Sequence, residues 1–275
     1  MRTFQVKSNL KQLSTSRHLI LNLTLREVRT RYRRTILGWL WSVAMPLTSV
    51  LVYSYVFGTL MQAEAPIGDP SKLKHFGLFL LSGLVPFAFF SSVTTAGMES
   101  LLKSADLIRK VAFPHESLVI AAVLNGLVQF AIELGLLIII FTFAGTKALL
   151  YLPATLVISA LLGIFSLGIS LILAAWTVRF RDLSHFWIIL LQVWFFATPI
   201  VYPESLITDR VPTILQQVLS LNPLRPFITA FRNSLYDGTI PSLRLALILV
   251  LLATVSLFTG VVVFYSITVN LAEEV

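Results

Sequence analysis

Cysteine is absent from this 275-residue sequence, and charged residues make up only 12% of it. The absence of cysteine excludes disulfide bonds, thiol catalysis and thiolate metal sites. The scarcity of charge, beside 56% hydrophobic residues, excludes an ordinary water-soluble domain. The charge is also unbalanced, with 21 Lys and Arg against 13 Asp and Glu. In a chain this apolar, we interpret the basic residues as topology signals and headgroup contacts, and we expect no nucleic-acid partner.

Several catalytic and nucleotide-binding motifs are absent as well. No glycine is followed by lysine, so the sequence contains no P-loop for nucleotide phosphates. Neither His-Glu-x-x-His nor Gly-x-Ser-x-Gly occurs, and the four histidines lie near the ends of apolar blocks. We therefore expect no catalytic residue, no metal site and no cofactor in this chain, and we do not expect it to be an enzyme.

Long apolar blocks are what the sequence does contain. About 20 helical residues cross a hydrocarbon core of about 30 Å. Six nearly uncharged blocks reach or approach that length: 38–60, 77–99, 117–143, 150–178, 186–202 and 243–269. The pattern predicts an all-α integral membrane protein with six transmembrane helices, forming a single transmembrane domain over residues 1–275.

The N-terminal arm, residues 1–37, contains nine Lys or Arg residues and one acid, Glu27. It lacks the early apolar core of a signal peptide, and the positive-inside rule predicts that it stays in the cytoplasm. Six crossings then place residues 100–116, residues 179–185 and the C-terminus on the same side. The weak point of this topology is a set of arginines assigned to the outer side: Arg210, Arg225, Arg232 and Arg244.

The arm has the pattern of an amphipathic helix that lies along the inner headgroup layer. Its apolar residues recur at spacings of three and four: Leu21, Leu25, Val28, Tyr32 and Ile36. Its arginines fall largely on the other side: Arg26, Arg29, Arg33 and Arg34. A helix that only anchors the chain to lipid would show the same pattern.

Residues 100–116 predict a short cytoplasmic helix. The signals are a cap, an early acid, late basic residues and a terminating proline: Ser104, Asp106, Arg109, Lys110 and Phe113-Pro114. One side is apolar: Leu107, Ile108 and Val111. An apolar edge with a charged rim is typical of a docking surface, and a frayed end of a membrane helix is the alternative.

Residues 203–242 are too many for a structureless connection, and their spacing predicts two short helices. The first contains apolar residues at helical spacing: Ile214, Leu215, Val218 and Leu219. The second starts at Asn222-Pro223 and ends at Gly238, with one apolar side: Phe227, Phe231 and Leu235. We expect both to be re-entrant on the outer side, between the fifth and sixth crossings, where broken elements require cover by protein or a water-filled path.

Glu133 lies deep inside an apolar block and shares one helix face with Asn125 and Gln129. We favour helix packing or pore lining over proton coupling, because no second acid lies at a comparable depth. Aromatic residues are abundant, and some could stack on sugar rings or belong to the core or the interfacial belt: Tyr53, Tyr55, Phe87, Phe89, Phe90, Trp194, Phe195 and Phe196.

Several segments, taken in order, resemble a known family. Residues 25–41, LREVRTRYRRTILGWLW, followed by Pro46, resemble the segment that enters the membrane in the membrane subunits of bacterial ABC exporters for O-antigen, capsule and teichoic acid. Residues 83–90, GLVPFAFF, resemble the second membrane helix of that family, and residues 107–114, LIRKVAFP, resemble its coupling segment. The motifs RFRD, TPIVY and NP follow in family order at residues 179–182, 198–202 and 222–223.

The resemblance implies a homodimer in the bacterial cytoplasmic membrane, docked to two separate ATP-binding subunits that hold ATP and Mg. It implies ATPase contact for the coupling segment: Ser104, Asp106, Leu107, Ile108, Arg109, Lys110, Phe113 and Pro114. It implies a path for a polysaccharide carried on a polyprenyl diphosphate, with the diphosphate near Arg26, Arg29, Arg31, Arg33 and Arg34. The path would be lined by Tyr53, Tyr55, Phe87, Phe89, Phe90, Glu133, Trp194 and Tyr202.

Other functions are open on the sequence alone. The exported molecule could be O-antigen-like, teichoic acid or capsule, because these exporters share the motifs, or a small molecule, because such exporters share the helix count. An ion-coupled secondary transporter would need intramembrane charge pairs, and no internal repeat is visible. A membrane glycosyltransferase would need clustered acids, whereas the 13 acids here are dispersed.

Overall fold

The structure is a computed structural model that describes residues 17–31, 38–62, 65–111, 113–204 and 212–268. In these ranges the chain forms helices, turns and loops without a strand, which confirms the predicted all-α class there. The helices are α1 (Arg17–Arg31), α2 (Trp41–Tyr53), α3 (Phe76–Lys103), α4 (Ala105–Lys110), α5 (Glu116–Phe143), α6 (Leu152–Arg179), α7 (Leu183–Ala197), α8 (Thr213–Ser220), α9 (Leu224–Arg232) and α10 (Leu243–Ile267). A 3₁₀ turn (Gly38–Leu40) precedes α2, and π-helical segments follow α2 (Ser54–Leu60) and α9 (Asn233–Asp237).

Four helices in the described part of the chain are long and apolar enough to cross a membrane: α3, α5, α6 and α10. The first and fifth apolar blocks are occupied by shorter helices, α2 with its π-helical continuation and α7. α7 has 15 residues and ends at Ala197, before the predicted end of its block at residue 202. It ends there because Pro199 keeps the preceding Thr198 out of the helical region, at φ −99° and ψ 133°.

Small residues bring the long helices together. α3 packs against α5 and α6, and α10 packs along α6. A Cβ atom at Gly97 of α3 would lie 2.6 Å from the Cβ of Ser170 on α6. A Cβ atom at Gly168 of α6 would lie 2.2 Å from the carbonyl oxygen of Ser256 on α10. Such backbone proximity requires glycine, and it is typical of helix pairs in membranes.

Aromatic rings fill the interior of the bundle. Phe90 of α3 contacts three rings, with centroid distances of 5.8 Å to Phe165, 6.4 Å to Trp187 and 5.4 Å to Trp194. The indole Nε1 of Trp187 also donates to Oγ1 of Thr94 at 3.3 Å. Ring contacts of this geometry stabilise beyond the area that they bury. Both tryptophans belong to α7, whose opposite face is exposed: Phe186, Ile189, Val193 and Phe196.

The connecting segments collect at two opposite ends of the bundle. At one end, the hydroxyl of Tyr236 lies 2.7 Å from the carbonyl oxygen of Pro66 and 3.0 Å from that of Leu73. At the other end, the hydroxyl of Tyr265 on α10 donates to the Glu116 carboxylate at the start of α5. We call residues 198–204 and 212–238, which belong to the first end, the cap. α1 and α4 lie at the second end.

The cap contains helices at both positions that the spacing predicts, α8 and α9. α9 follows Asn222-Pro223 directly, and it buries Phe227 and Phe231. Gly238 ends the π-helical continuation with φ +73°, a left-handed conformation that glycine adopts at little cost. The side chains of Leu215 and Val218 lie outside the described residues.

Candidate functional site

The coupling segment forms a single short helix, α4, between α3 and α5. The backbone carbonyl of Ser104 accepts hydrogen bonds from the amides of Leu107, at 3.0 Å, and Ile108, at 3.1 Å. Ser104 therefore occupies the N-cap position, but its side chain makes no capping hydrogen bond, in contrast to the prediction. Asp106 lies in the first turn, and Arg109 and Lys110 lie in the last. These charges have the order that the helix dipole favours.

α4 is fixed to the bundle by its apolar side. Ile108 is 5% exposed and belongs to a cluster with Leu101 of α3, Leu118 of α5 and Leu171 of α6. Leu107 and Phe113 pack partly against the same cluster, whereas Val111 is exposed. The charged rim points away: Asp106, Arg109 and Lys110 are exposed, and Pro114 is half-buried. The arrangement is that of an anchored helix that presents charges at the end of the bundle.

The arm helix α1 packs on α5 with a side that the spacing does not predict. Leu23 and Thr24 are buried, and Leu23 belongs to the same cluster as Ile108. Leu21 and Leu25, which the periodicity assigns to the apolar side of a helix in the headgroup layer, are 54% and 48% exposed. The apolar side chains are thus divided between a face toward the protein and a face away from it.

The basic side of the arm is described only in part. The Arg26 side chain is exposed. The backbones of Arg29 and Arg31 belong to α1, but their side chains lie outside the described residues, as do Tyr32, Arg33, Arg34 and Ile36.

The hydrogen bond between Tyr265 and Glu116 joins α10 to α5 directly beside the coupling segment. Glu116 is 7% exposed, so the tyrosine supplies a donor to a buried carboxylate. His115 precedes it, and burial lowers the pKa of His115 while the neighbouring Glu116 opposes that change. A polar contact therefore connects the last helix with the start of α5, the helix that follows the coupling segment.

The predicted lining residues are not brought together on one surface. Phe87, Phe89 and Phe90 are buried, at 7%, 3% and 0% exposure. Phe89 stacks on Phe130 at 4.5 Å, and Phe87 contacts Phe195 at 5.3 Å. In this conformation, contact between these rings and a substrate would require the helices to separate.

The remaining lining candidates lie closer to the surface. Tyr55 is 60% exposed. Tyr53, Trp194 and Tyr202 are half-buried. Glu133 is also half-buried, and Gln129 Nε2 donates to its Oε1 at 2.9 Å. The structure therefore places the Gln129 and Glu133 side chains together on one face of α5, as the four-residue spacing predicts.

Asn222 joins two motifs that the sequence separates. Its Oδ1 accepts from Nε1 of Trp194 at 2.7 Å and from the amide of Leu224 at 2.9 Å. Its Nδ2 donates to Oγ1 of Thr198 at 2.8 Å and to the carbonyl of Ala197 at 3.2 Å. The buried amide thereby uses its donor and acceptor atoms to attach the start of α9 to the end of α7.

Two cap arginines also have partners within the chain. Nε of Arg225 donates to Oε1 of Glu204 at 2.7 Å. Nη2 of Arg232 donates to the carbonyl of Ile200 at 2.9 Å, and its Cζ lies 3.9 Å from the centroid of the Phe79 ring. Burial lowers the pKa of Arg232 to about 10, and the carboxylates of Glu204 and Asp237 oppose that change. Arg232 therefore stays charged at neutral pH.

Arg232 is the functional candidate that the sequence prediction misses. A signal was present: Arg232 follows the apolar Ile228 by four residues and precedes Tyr236 by four, so it lies on a face with two large side chains. All three are buried in the structure. An arginine in phase with an apolar helix face predicts burial with partners.

Comparison with known proteins identifies similar sequences over nearly the whole chain. The sequence profile of the ABC-2 type transporter family matches residues 18–236. The O-antigen export system permease protein RfbA of Myxococcus xanthus is 31% identical over 268 residues, which cover 96% of this chain and 98% of that protein. A protein of the same name from Klebsiella pneumoniae is 27% identical, covering 81% and 82%. The polysialic acid transport protein KpsM of Escherichia coli is 27% identical, covering 88% and 90%.

Proposed function

This chain belongs to the ABC-2 type transporter family, and from that membership we propose that it is the membrane subunit of an ATP-driven exporter. The substrate is a lipid-linked, O-antigen-like polysaccharide, which the exporter moves across the bacterial cytoplasmic membrane. ATP and Mg²⁺ bind to two partner subunits, and this chain makes and breaks no covalent bond. The observation that carries the proposal is the likeness over 98% of an O-antigen export permease.

We propose six crossings with both termini in the cytoplasm, so that α1 and α4 are cytoplasmic and the cap is a re-entrant outer segment. Four long apolar helices support the membrane assignment. The partners of Arg225 and Arg232 support the orientation, because an arginine held by Glu204 or by a backbone carbonyl is a weak topology signal. These two residues account for part of the positive charge that opposed the predicted topology.

α4 is the proposed contact for the ATPase. Its charged rim offers Asp106, Arg109 and Lys110 to a soluble partner, while Ile108 carries the motion of that partner into the bundle. ATP binding closes the two ATPase subunits, and the coupling helices transmit that closure. The cluster around Ile108 includes side chains of α1, α3, α5, α6 and α10, so a displacement of α4 reaches all of them.

The basic arm is the proposed contact for the lipid diphosphate. Arginine offers a planar fork of donors that matches phosphate oxygens. The exposed Arg26 on α1 and the exposed Leu21 and Leu25 beside it suit a position in the inner headgroup layer, where diphosphate and lipid chain meet.

The path for the polymer is proposed to lie between two copies of the chain. α7 is about 22 Å long, shorter than a hydrocarbon core of about 30 Å, and a non-helical turn follows it. The exposed apolar face of α7, with Phe186, Ile189, Val193 and Phe196, is a surface that a second copy and the path itself can cover. Among the predicted lining residues, four rings are nearest the surface and are the first candidates to meet sugar: Tyr53, Tyr55, Trp194 and Tyr202.

Deletion of the chain in its native host tests the proposal. We expect the lipid-linked polymer to accumulate on the cytoplasmic side and to disappear from the cell surface, with recovery when the wild-type chain is supplied. An ATPase partner with an inactivated P-loop should give the same result as the deletion. Normal surface polymer in the deletion strain would contradict the proposal, and export that survives ATPase loss but stops with a proton uncoupler would favour a secondary transporter.

A further inference from the structure

The Arg232 side chain joins three elements at one point. It extends from the end of α9 and donates a hydrogen bond to the carbonyl of Ile200 in the turn after α7. Its guanidinium also lies over the ring of Phe79 on α3. The residue is 8% exposed. A guanidinium over an aromatic face in a desolvated site is a favourable cation–π contact. The turn, the cap helix and the membrane helix are thus held by one side chain.

α3 is shaped to receive the guanidinium. Gly83 lies one turn after Phe79, and a Cβ atom there would lie 3.3 Å from Nη2 of Arg232 and 3.3 Å from Cγ2 of Ile228. Any side chain at this position would press on the guanidinium. Phe79 and Gly83 together form a binding surface for the guanidinium, which we call the seat. The Phe79 ring lies against the guanidinium, and Gly83 leaves space for it because it has no side chain.

The seat is incomplete as a binding site for a buried cation. Nε of Arg232 is buried and has no hydrogen-bond partner among the described residues. Removing a charge from water is costly, and an unpaired donor adds to that cost. The arrangement therefore holds the three elements together with an interaction that can be released at a moderate cost.

We propose that Arg232 is the pin of an outer gate: seated on Phe79 and Gly83, it keeps the cap and the end of α7 closed against α3, and it leaves the seat when polymer passes. This inference rests on the proposed function, because it places the cap at the outer end of the export path. Arg232 acts through the position of the cap, so it is a positioning residue and need not touch the polymer.

The first test measures leak, a property that does not depend on the identity of the substrate. The full chain with its ATPase is placed in proteoliposomes without ATP, and release of entrapped iodide is followed. Phe79→Leu removes the ring and Arg232→Lys removes the planar fork, so we expect each to raise the leak roughly tenfold. Phe141→Leu is the matched control, because Phe141 is a fully buried ring on α5 that is not among the predicted lining residues, and we expect wild-type leak.

The second test locks the cap in place. Gly83→Cys with Ile228→Cys puts two thiols within reach of a disulfide in a chain that has no other cysteine. We expect oxidation to lower polymer export at least about tenfold and reduction to restore it. Each single variant should export equally under oxidising and reducing conditions, whatever level of export the Gly83→Cys change itself sets.

The outcomes separate the gate from the export function. Wild-type leak in an assembled Phe79→Leu variant, or unchanged export by the oxidised double-cysteine chain, would overturn the gate. A wild-type chain that moves no polysaccharide would refute the proposed function, and the difference in leak between Phe79→Leu and Phe141→Leu would still decide the gate. If Arg232→Lys does not assemble, the leak of Phe79→Leu and the effect of the disulfide on export still decide whether the gate exists.

Discussion

Gly168 and Gly260 show how strongly single residues control the approach of two helices. A Cβ atom at Gly260 would lie 2.4 Å from the carbonyl oxygen of Gly168, and one at Gly168 would lie 2.2 Å from that of Ser256. Ser256 also donates its hydroxyl to the carbonyl of Phe165 at 2.8 Å. The backbones of α6 and α10 are thus in direct contact. A backbone atom cannot move aside as the end of a flexible side chain can, so an added methyl group has no space here.

Gly168→Ala should therefore destabilise the protein by about 1–3 kcal/mol, because the added methyl group forces the helices apart. The measurement is the thermal midpoint of the detergent-solubilised protein, followed by size-exclusion chromatography. Gly135→Ala on α5 is the control, since no described atom outside the local backbone of α5 lies within 4 Å of a Cβ there. It should be neutral or slightly stabilising, because alanine is the better helix former. Equal midpoints for the two variants would contradict the backbone contact.

At the scale of elements, the local sequence predicts the order of charges in α4 but not which side of α1 packs against the bundle. The order of charges in α4 is local, and the structure has Asp106 early and Arg109 and Lys110 late, as the sequence predicts. The side of α1 that packs is not local, because it depends on α5, and the spacing therefore does not predict the burial of Leu23 and Thr24. Periodicity identifies a helix, but its orientation is set by its neighbours.

Asp106→Ala combined with Arg109→Ala should weaken capture of the ATPase by the membrane-embedded chain, because it removes charges from the rim of α4. Pull-down from solubilised membranes measures the amount of ATPase recovered. The control is Asp69→Ala with Lys72→Ala, an exposed ion pair with a 3.7 Å N–O distance at the opposite end of the bundle. Undiminished recovery with the α4 variant would refute its assignment as the coupling helix.

Charge reversal on the arm, Arg29→Glu with Arg33→Glu, should lower surface polymer roughly tenfold or more without loss of assembly, because carboxylates repel a diphosphate. Immunodetection of surface polymer and the amount of assembled complex are the two measurements. Lys147→Glu with Arg244→Glu changes the net charge equally at exposed positions of the opposite end and should leave export intact. A normal amount of surface polymer in the arm variant would show that these arginines do not bind the diphosphate.

For the whole molecule, the sequence predicts the membrane helices, whose length is set by the bilayer, and it misses contacts between residues that are distant in the chain. The apolar blocks follow from the thickness of a bilayer, and α3, α5, α6 and α10 lie at four of them. The seat of Arg232 could not be predicted, because Phe79, Gly83 and Ile200 come from other parts of the chain. The sequence also could not distinguish aromatic residues of the core from those of the path. Phe90, for example, belongs to the core because it contacts Phe165 and Trp194, which lie on other helices.

The absence of cysteine makes the assembly of two copies directly testable. Val193→Cys, on the exposed face of α7, should cross-link to a second copy through a short bifunctional thiol reagent and give a band of twice the mass. Leu251→Cys is the control, because it is similarly exposed, at 62% against 60%, but lies on α10, a 25-residue helix long enough to face lipid. Cross-linking of Leu251→Cys and not of Val193→Cys would place the contact between copies elsewhere.

The ring-to-ring contacts around Phe90 have a consequence for inheritance. Those rings pack against one another within a single chain. Under the proposal that the polymer passes between two copies, each conduit is the product of two polypeptides. A cell that makes active and inactive copies in equal amounts then builds only about a quarter of its conduits from two active copies. A defective allele that still assembles should behave as dominant over the wild type, whereas an allele that fails to assemble should be recessive.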